Sequence, residues 1–291
     1  MKVLLCYFSG TGNTKMVTDR YAELLRESNV AVDLCNIEQN GNGVPTDEYD
    51  MLGIAYPIWA FNAPGIVLQF AKHLRKRAQK TPAFIIKTSG EPLGLNSISS
   101  LKLKSILKKR NFFVQSEYHY VMPYNIIFRH SDRMAYRMWQ AAQDIMPLDC
   151  RDLLSGVKTK TKFVPFGRFI TWLLRIQQWG GRFNGKRYKV SDTCVHCDKC
   201  VKNCPAQNIS RTEETFCFGK KCLMCMRCAF ECPVNAIKIG LFEKWKVNGA
   251  YSFRKPETEE STPSKHDNYC KKAYDKYFAT IEQRLQQETD K

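Results

Sequence analysis

The chain has 291 residues, 44% of them hydrophobic, and its 45 Lys and Arg outnumber its 28 Asp and Glu to give a formal charge of +17. This length and composition are typical of a globular chain of two domains, and no apolar run is long enough to predict a membrane-spanning helix. Ten of the cations, against one Asp, lie in residues 151–190. The charge is therefore concentrated in one segment, which argues against a nucleic-acid partner.

The first element is a predicted buried strand over residues 2–8, followed at once by a small polar loop and a helical pattern from about Lys15 to Glu27. Such a loop directs backbone N–H groups and hydroxyls at a phosphate, assisted by the helix dipole. It is neither a Walker loop, since no Gly-Lys-Ser/Thr follows, nor a dinucleotide fingerprint, since the third glycine is missing. The candidate phosphate-binding residues are Ser9, Gly10, Thr11, Gly12, Asn13 and Thr14.

Four further strands are predicted at about residues 30–36, 51–56, 83–87 and 112–121, with helical patterns between most of them. In a parallel sheet the loops after the strands meet at one edge, where ligands bind. Two more loops are therefore candidates for the same site. Their candidate residues are Pro57, Ile58, Trp59, Ala60, Phe61 and Asn62 in the second loop, and Thr88, Ser89, Gly90 and Gly94 in the third.

This succession of strands, helices and loops resembles the flavodoxins. The resemblance implies an α/β, doubly wound, five-stranded parallel sheet of order 2-1-3-4-5 in a domain of residues 1–150, with FMN as cofactor. In that family an aromatic side chain of the second loop often stacks on the isoalloxazine, a role that would fall to Trp59. The alternative is that Trp59 only caps the sheet edge.

The third loop departs from the flavodoxin pattern because it holds no aromatic residue between Thr88 and Ser97. The second face of the ring would then be covered by Met122, Tyr124 or Asn125, or be left open to a partner. Asn125 is included among the candidate cofactor-binding residues.

Residues 151–190 form a basic amphipathic connecting segment. From Phe166 to Trp179 apolar residues surround most of a predicted helix, interrupted by a stripe that contains Arg168 and Arg175. Such a helix favours a role between two domains over a position on an anionic membrane. A C-terminal extension, residues 241–291, is predicted to end in a helix from about Asp267 to Gln287.

Two cysteine runs with the spacing C-x-x-C-x-x-C-x-x-x-C-P are separated by 28 residues and form an internal repeat. Zinc sites pair two C-x-x-C units and leave no role for a third cysteine in each run, and the spacing is not that of a disulfide framework. It is the spacing of 4Fe–4S ligands, in which the fourth cysteine of each run binds the other cluster. The first cluster would take Cys194, Cys197, Cys200 and Cys232, and the second Cys222, Cys225, Cys228 and Cys204.

The cysteine runs resemble bacterial two-cluster ferredoxins, which implies a small α+β domain over residues 191–240. The whole chain resembles the fused flavodoxin–ferredoxin proteins of anaerobic bacteria and archaea, and the resemblance implies single-electron transfer between FMN, two 4Fe–4S clusters and an external redox partner. An acidic electron carrier is expected as that partner, since opposite charge speeds encounter with the basic segment. Neutralising Lys158, Lys160 and Lys162 together is expected to flatten the salt dependence of electron exchange with this carrier.

An alternative function is a flavin-dependent reductase of a bound organic substrate, to which the clusters supply electrons. No residue pattern for NAD(P)H binding or for a nucleophile elbow occurs. The five cysteines outside the two runs have no paired spacing, and the N-terminal residues resemble a strand rather than a targeting segment. Both features predict a cytoplasmic protein with reduced thiols.

Overall fold

The computed structural model describes residues 1–40, 44–159, 163–213, 215–255, 266 and 269–290, so Lys160 and Lys162 lie outside the described residues. The N-terminal half contains a five-stranded parallel sheet of order 2-1-3-4-5, as predicted. The fold is therefore flavodoxin-like. The strands are β1 (Lys2–Tyr7), β2 (Ala31–Asn36), β3 (Met51–Pro57), β4 (Thr81–Ser89) and β5 (Phe112–Val121).

Helices cover both faces of this sheet. The apolar sides of α1 and α4 pack on one face through residues such as Val17 and Ala142, and those of α2 and α3 pack on the other through residues such as Val67 and Leu103. Because β1, β3 and β4 are buried on both faces, their sequences are nearly continuous apolar runs. The helices are α1 (Asn13–Glu27), α2 (Gly65–His73), α3 (Leu101–Lys109) and α4 (Asp132–Leu154), with a 3₁₀ turn at Gly94–Ser100.

An ion cluster lies between β4 and β5. The Lys87 Nζ is 2.9 Å from Glu117 Oε2, and both side chains are almost fully buried. Lys104 of α3 and the Ser100 hydroxyl also contact the Glu117 carboxylate. Since Lys87 precedes the third candidate loop by one residue, this cluster holds the end of β4 in place.

The connecting segment contains two helices, α5 (Gly167–Leu174) and α6 (Ile176–Gly185), where the sequence predicted one from Phe166 to Trp179. They contact both halves of the protein: Gly167 lies against Ile98, and Gly185 lies against Cys222. Small residues make these contacts because the backbone approaches its neighbours closely.

The cysteine-rich module is built twice from the same unit. Two short antiparallel pairs, β6 with β9 and β7 with β8, flank two one-turn helices. The helices begin 28 residues apart, the interval of the sequence repeat. The elements are β6 (Lys189–Val190), α7 (Lys199–Lys202), β7 (Ile209–Arg211), β8 (Phe216–Phe218), α8 (Arg227–Phe230) and β9 (Ile237–Lys238).

The C-terminal extension returns to the sheet domain. After a 3₁₀ turn at Gly240–Trp245, helix α9 (Lys271–Thr289) packs against the end of β5 and against α4 with Tyr274, Phe278 and Ile281 buried. Arg284 of α9 donates to Asp149 of α4 at 2.5 Å. Within the described residues no helix has the length and apolar character needed to cross a membrane.

Candidate functional site

The three candidate loops lie together at the carboxyl edge of the sheet. The hydroxyls of Thr14 and Thr88 share a hydrogen bond of 2.8 Å, which joins the first loop to the third. The Ile58 N–H donates to the Thr88 carbonyl at 2.8 Å, which joins the second loop to the third. Residues far apart in the sequence therefore form one continuous surface at the carboxyl edge of the sheet.

The first loop leads directly into the N-terminus of α1. Gly12 has a φ of 104° and open space where a Cβ would be, and its N–H donates to the Ser9 hydroxyl at 3.1 Å. The first turn of α1 holds no acidic residue. The unpaired N–H groups and the dipole of a helix N-terminus favour an anion, so this loop fits a phosphate.

The segment after β5 reaches the same loop. The Asn125 side chain donates to the Thr11 hydroxyl at 3.1 Å, and the Asn13 side chain donates to the Pro123 carbonyl at 2.7 Å. Asn125, predicted from the sequence, therefore lies beside the phosphate-type loop.

The second loop is a tight turn. The backbone groups of Trp59 and Asn62 exchange two hydrogen bonds of 2.9 Å, while Ala60 and Phe61 between them have φ values of 40° and 56°. The half-buried Trp59 ring meets Phe8 edge to face with 5.5 Å between centroids. Trp59 therefore caps the sheet edge and keeps part of its surface accessible.

The third loop is held from outside by two tyrosines, Tyr124, which the sequence offered as a cover for the flavin ring, and Tyr274, which it did not indicate. A Cβ on Gly90 would lie 2.3 Å from the Tyr124 ring, so Tyr124 closes directly over this glycine. The Tyr274 hydroxyl of α9 donates to the Gly90 carbonyl at 2.5 Å. The next residue, Glu91, has a buried Oε2 without a hydrogen-bond partner among the described residues, and burial raises the pKa of its carboxyl to about 7.

Glu91 was missed at the sequence level, although it is the one charged residue between Thr88 and Gly94. The open space where a Cβ would lie at Gly12 and at Gly94 leaves room for a ligand at this edge of the sheet.

In the cysteine module, backbone N–H groups donate to cysteine sulfurs at positions that recur after 28 residues, the interval of the sequence repeat. The N–H groups two residues after Cys194 and Cys222 donate to those sulfurs at 3.4 Å. The N–H groups four residues after Cys204 and Cys232 donate to those sulfurs at 3.3 and 3.2 Å. Such donors stabilise thiolates and tune an iron–sulfur cluster, because they place partial positive charge at the sulfur.

The fold brings Cys204 to the second cysteine run. Cys204, Cys222, Cys225 and Cys228 line one cavity, the set in which the fourth cysteine of the first run crosses to the second. Cys194 and Cys197 are close enough to Cys200 to affect its thiol electrostatically, and Cys232 packs in the same apolar cluster as Cys200. Each predicted set therefore has members that lie near one another.

Burial raises the pKa of the Cys225 thiol to about 12 and that of Cys200 to about 11. A bound cationic iron centre reverses this tendency, since a coordinating thiol is deprotonated. No three His, Cys, Asp or Glu side chains of the described residues are placed to hold a single metal ion. The thiols at the cavity suit a four-iron cluster, whose four cysteine ligands are spread around it.

Arg227 joins the cysteine module to the first loop. Its Nε donates to the Gly10 carbonyl at 2.8 Å and its Nη2 to the Ser9 carbonyl at 2.5 Å. The same guanidinium pairs with Glu38, at 2.7 Å from Nη1 to Oε2, in a largely buried contact. A Cβ on Gly10 would lie 2.6 Å from the Cys225 carbonyl oxygen. The lining of the cysteine cavity is therefore in direct contact with the phosphate-type loop.

Arg227 was not singled out from the sequence. The sequence feature that could have indicated its role is its position between Cys225 and Cys228, because a long cationic side chain inside a predicted cluster-binding loop needs hydrogen-bond acceptors outside that loop. The Ser9 and Gly10 carbonyls lie more than two hundred residues earlier in the chain, so this pairing becomes visible only in the folded protein.

No family model and no curated protein matches this chain. Among solved structures it is similar to a flavodoxin from Streptococcus pneumoniae, with 13% identity, a TM-score of 0.37 and coverage of 53% of this chain and 99% of that one. It is also similar to flavodoxin 1 from Bacillus cereus, with 15% identity, a TM-score of 0.36 and coverage of 51% of this chain and 98% of that one. A putative quinone reductase from Klebsiella pneumoniae has 13% identity, a TM-score of 0.36 and coverage of 53% of this chain and 85% of that one. The flavodoxin-like assignment rests on the strand order of the sheet itself.

Proposed function

We propose that this protein transfers single electrons between an FMN, two 4Fe–4S clusters and an external redox protein. The observation that carries the proposal is the contact between Cys225 and Gly10, reinforced by Arg227. It brings the second predicted ligand set against the loop that would hold the flavin phosphate. When bound, FMN supplies the exchange between two-electron and one-electron chemistry.

The chain's own residues have distinct roles in this proposal. Ser9, Thr11 and Thr14 provide hydroxyls to the phosphate, and Trp59 offers a partly exposed ring at the same edge. The two crossed cysteine sets hold the clusters. Arg227 keeps the separation between the flavin loop and the second cluster constant, since it binds two loop carbonyls and the Glu38 carboxylate at once.

Anaerobic purification followed by iron, sulfide and flavin analysis tests the cofactor content. About eight irons and one FMN per chain are expected from two complete ligand sets and one phosphate loop. Stoichiometric zinc, or FAD in place of FMN, would show that the assignment is wrong. Freeze-quench EPR after rapid flavin reduction then tests the path, and cluster signals should rise as reduced flavin declines.

A second candidate function is reduction of a bound organic substrate, favoured by a cavity beside Trp59. Its volume of about 870 Å³ lies within the usual range for small-molecule sites. Among the residues that the structure describes, its lining includes Lys102, Arg175, Arg182 and Lys221 and no acidic residue, so an anionic substrate suits it. Steady-state turnover of an anionic naphthoquinone sulfonate tests this function. A KM that rises in Lys102→Gln with kcat unchanged is expected, and a complete lack of turnover contradicts it.

A further inference from the structure

Helices α5 and α6 turn their largest apolar side chains outward. Six of these residues each expose between 59% and 82% of their surface. They follow one another at intervals of three or four residues, so they form a continuous row along both helices. This aromatic stripe consists of Phe166, Phe169, Trp172, Ile176, Trp179 and Phe183.

The opposite side of the same helices is packed closely against the protein through small residues. A Cβ on Gly185 would lie 2.2 Å from the Cys222 Cβ, one on Gly181 would lie 3.0 Å from the Met224 Cγ, and one on Gly167 would lie 2.9 Å from the Ile98 Cγ2. Thr171 is buried on this side as well. If the helices were rotated to bury the aromatic stripe, large side chains would clash where the glycines now make close contacts. The packing therefore fixes the aromatic stripe on the outside of the protein.

This arrangement is the reverse of an ordinary surface helix, whose apolar residues face the core. A contiguous apolar surface of this kind marks an interaction site rather than a face kept in water. The stripe therefore needs an apolar partner.

Cations border the aromatic stripe. Arg168, Arg182 and Lys186 are exposed, and the Arg182 guanidinium lies 5.6 Å from the centre of the Trp179 ring. Between residues 153 and 191 the sequence contains no Asp or Glu. The partner must therefore accept aromatic side chains and carry negative charge.

We propose that the aromatic stripe docks on the surface of an anionic lipid bilayer. Tryptophan rings and flanking cations are the residues that lie at the boundary between headgroups and acyl chains. A second copy of the chain does not satisfy the charges, because it would bring the same cations to the interface. Helix contacts with Cys222 and Ile98 would hold the cysteine module and the carboxyl edge of the sheet close to the membrane.

Vesicle co-sedimentation of the holoprotein tests this docking. Binding is expected to phosphatidylcholine vesicles that contain phosphatidylglycerol, with a blue shift in tryptophan emission and quenching by brominated acyl chains. Replacing Trp172 and Trp179 with Ala should weaken binding at least about tenfold, because two large rings leave the interface. Neutralising Arg168, Arg182 and Lys186 to Gln should weaken it about fivefold per cation.

Matched controls separate docking from general attraction to a cationic protein. Lys76→Gln with Lys80→Gln removes two exposed charges from the far edge of the sheet, and Leu34→Ser removes an exposed apolar side chain from β2. Both variants should bind as the unaltered protein does. The proposal is overturned if the two tryptophan replacements leave binding unchanged, if anionic vesicles fail to bind, or if sedimentation instead shows self-association that the same replacements abolish. None of these readouts depends on the redox function.

Discussion

Gly10 is the residue where the cysteine module presses on the phosphate-type loop. A methyl group there would lie 2.6 Å from the Cys225 carbonyl oxygen, so Gly10→Ala must push the two segments apart. We expect a loss of about 1–3 kcal/mol in the free energy of unfolding, as for an overpacked contact, together with slower flavin-to-cluster transfer. Denaturant unfolding and freeze-quench EPR measure the two effects. Gly180→Ala, where a Cβ meets open space outside the three loops, is the control; equal behaviour of both variants would contradict the prediction.

Glu117 couples folding to pH. Burial by itself would raise the pKa of this carboxyl, but Lys87 and Lys104 with their hydrogen bonds lower it from 4.5 to about 2. Its ionised form is favoured by the folded state, so its contribution to stability is complete above about pH 4.5 and is lost as the pH falls toward 2. Loss of this contribution should appear in urea unfolding between pH 5 and pH 3, as a fall in the free energy of unfolding of about 1–2 kcal/mol.

Replacing Glu117 with Gln leaves Lys87 buried without its countercharge. At neutral pH the variant should be about 3–5 kcal/mol less stable, and its stability should vary less with pH in the acid range. Glu23→Gln alters an exposed pair on α1 and should cost less than about 1 kcal/mol. If Glu117→Gln unfolds with the same pH dependence as the unaltered protein, Glu117 does not have the role described.

At the scale of elements, the turn after α7 brings Cys204 to the second cysteine run. Cys204→Ser should therefore damage the cluster held by Cys222, Cys225 and Cys228, and lower the iron content by up to about four per chain. Cys217→Ser removes an exposed cysteine outside both sets and should leave the iron content unchanged. Metal analysis and EPR of the remaining cluster provide the measurement. Damage confined to the cluster of Cys194 would mean that the sets do not cross.

Helix α9 stabilises the third loop through one hydroxyl. Tyr274 donates to the Gly90 carbonyl, so Tyr274→Phe leaves that buried acceptor without this bond at a cost of about 1–3 kcal/mol. We expect faster loss of FMN on dilution, followed by flavin fluorescence. Tyr277→Phe removes a hydroxyl from the same helix that accepts from the Val121 N–H, and it should reduce stability without releasing flavin. Equal flavin loss in both variants would indicate a general effect of α9.

The whole molecule is positively charged, and its cations line the cavity beside Trp59. Electron exchange with an acidic carrier should slow as ionic strength rises from about 0.01 to 0.1 M, because the screening length falls from about 30 to 10 Å. Neutralising Lys220 and Lys221, next to Cys222, should flatten this dependence while iron and flavin contents stay constant. The Lys76 and Lys80 variant is the control. A rate that does not respond to salt would exclude electrostatic steering.

Several structural details depended on how packing resolved an ambiguous pattern. The segment from Phe166 to Trp179 has apolar residues around most of its circumference, so its periodicity could not say which side is buried. The close approach at Gly181 and Gly185 decided that the side of the helices with small residues faces the protein.

The end of helix α2 was also decided by its surroundings. It ends at His73, because Leu74 adopts an extended conformation. Arg77 beyond it donates to the carbonyl oxygens of Thr46 and Tyr49.

The sequence by itself located the buried strands and indicated the cysteine sets, because buried parallel strands require continuous apolar runs and cluster ligands require short, regular spacing. Both signals are local in the chain. The order of the strands followed only from the resemblance to flavodoxins. Only the tertiary structure decided that Arg227 binds the Gly10 loop, that Tyr274 holds Gly90, and that the aromatic stripe faces outward. Each of these features depends on which distant surfaces meet. Hydrogen-bond partners and close packing select that arrangement, and neither is encoded in the spacing of any one segment.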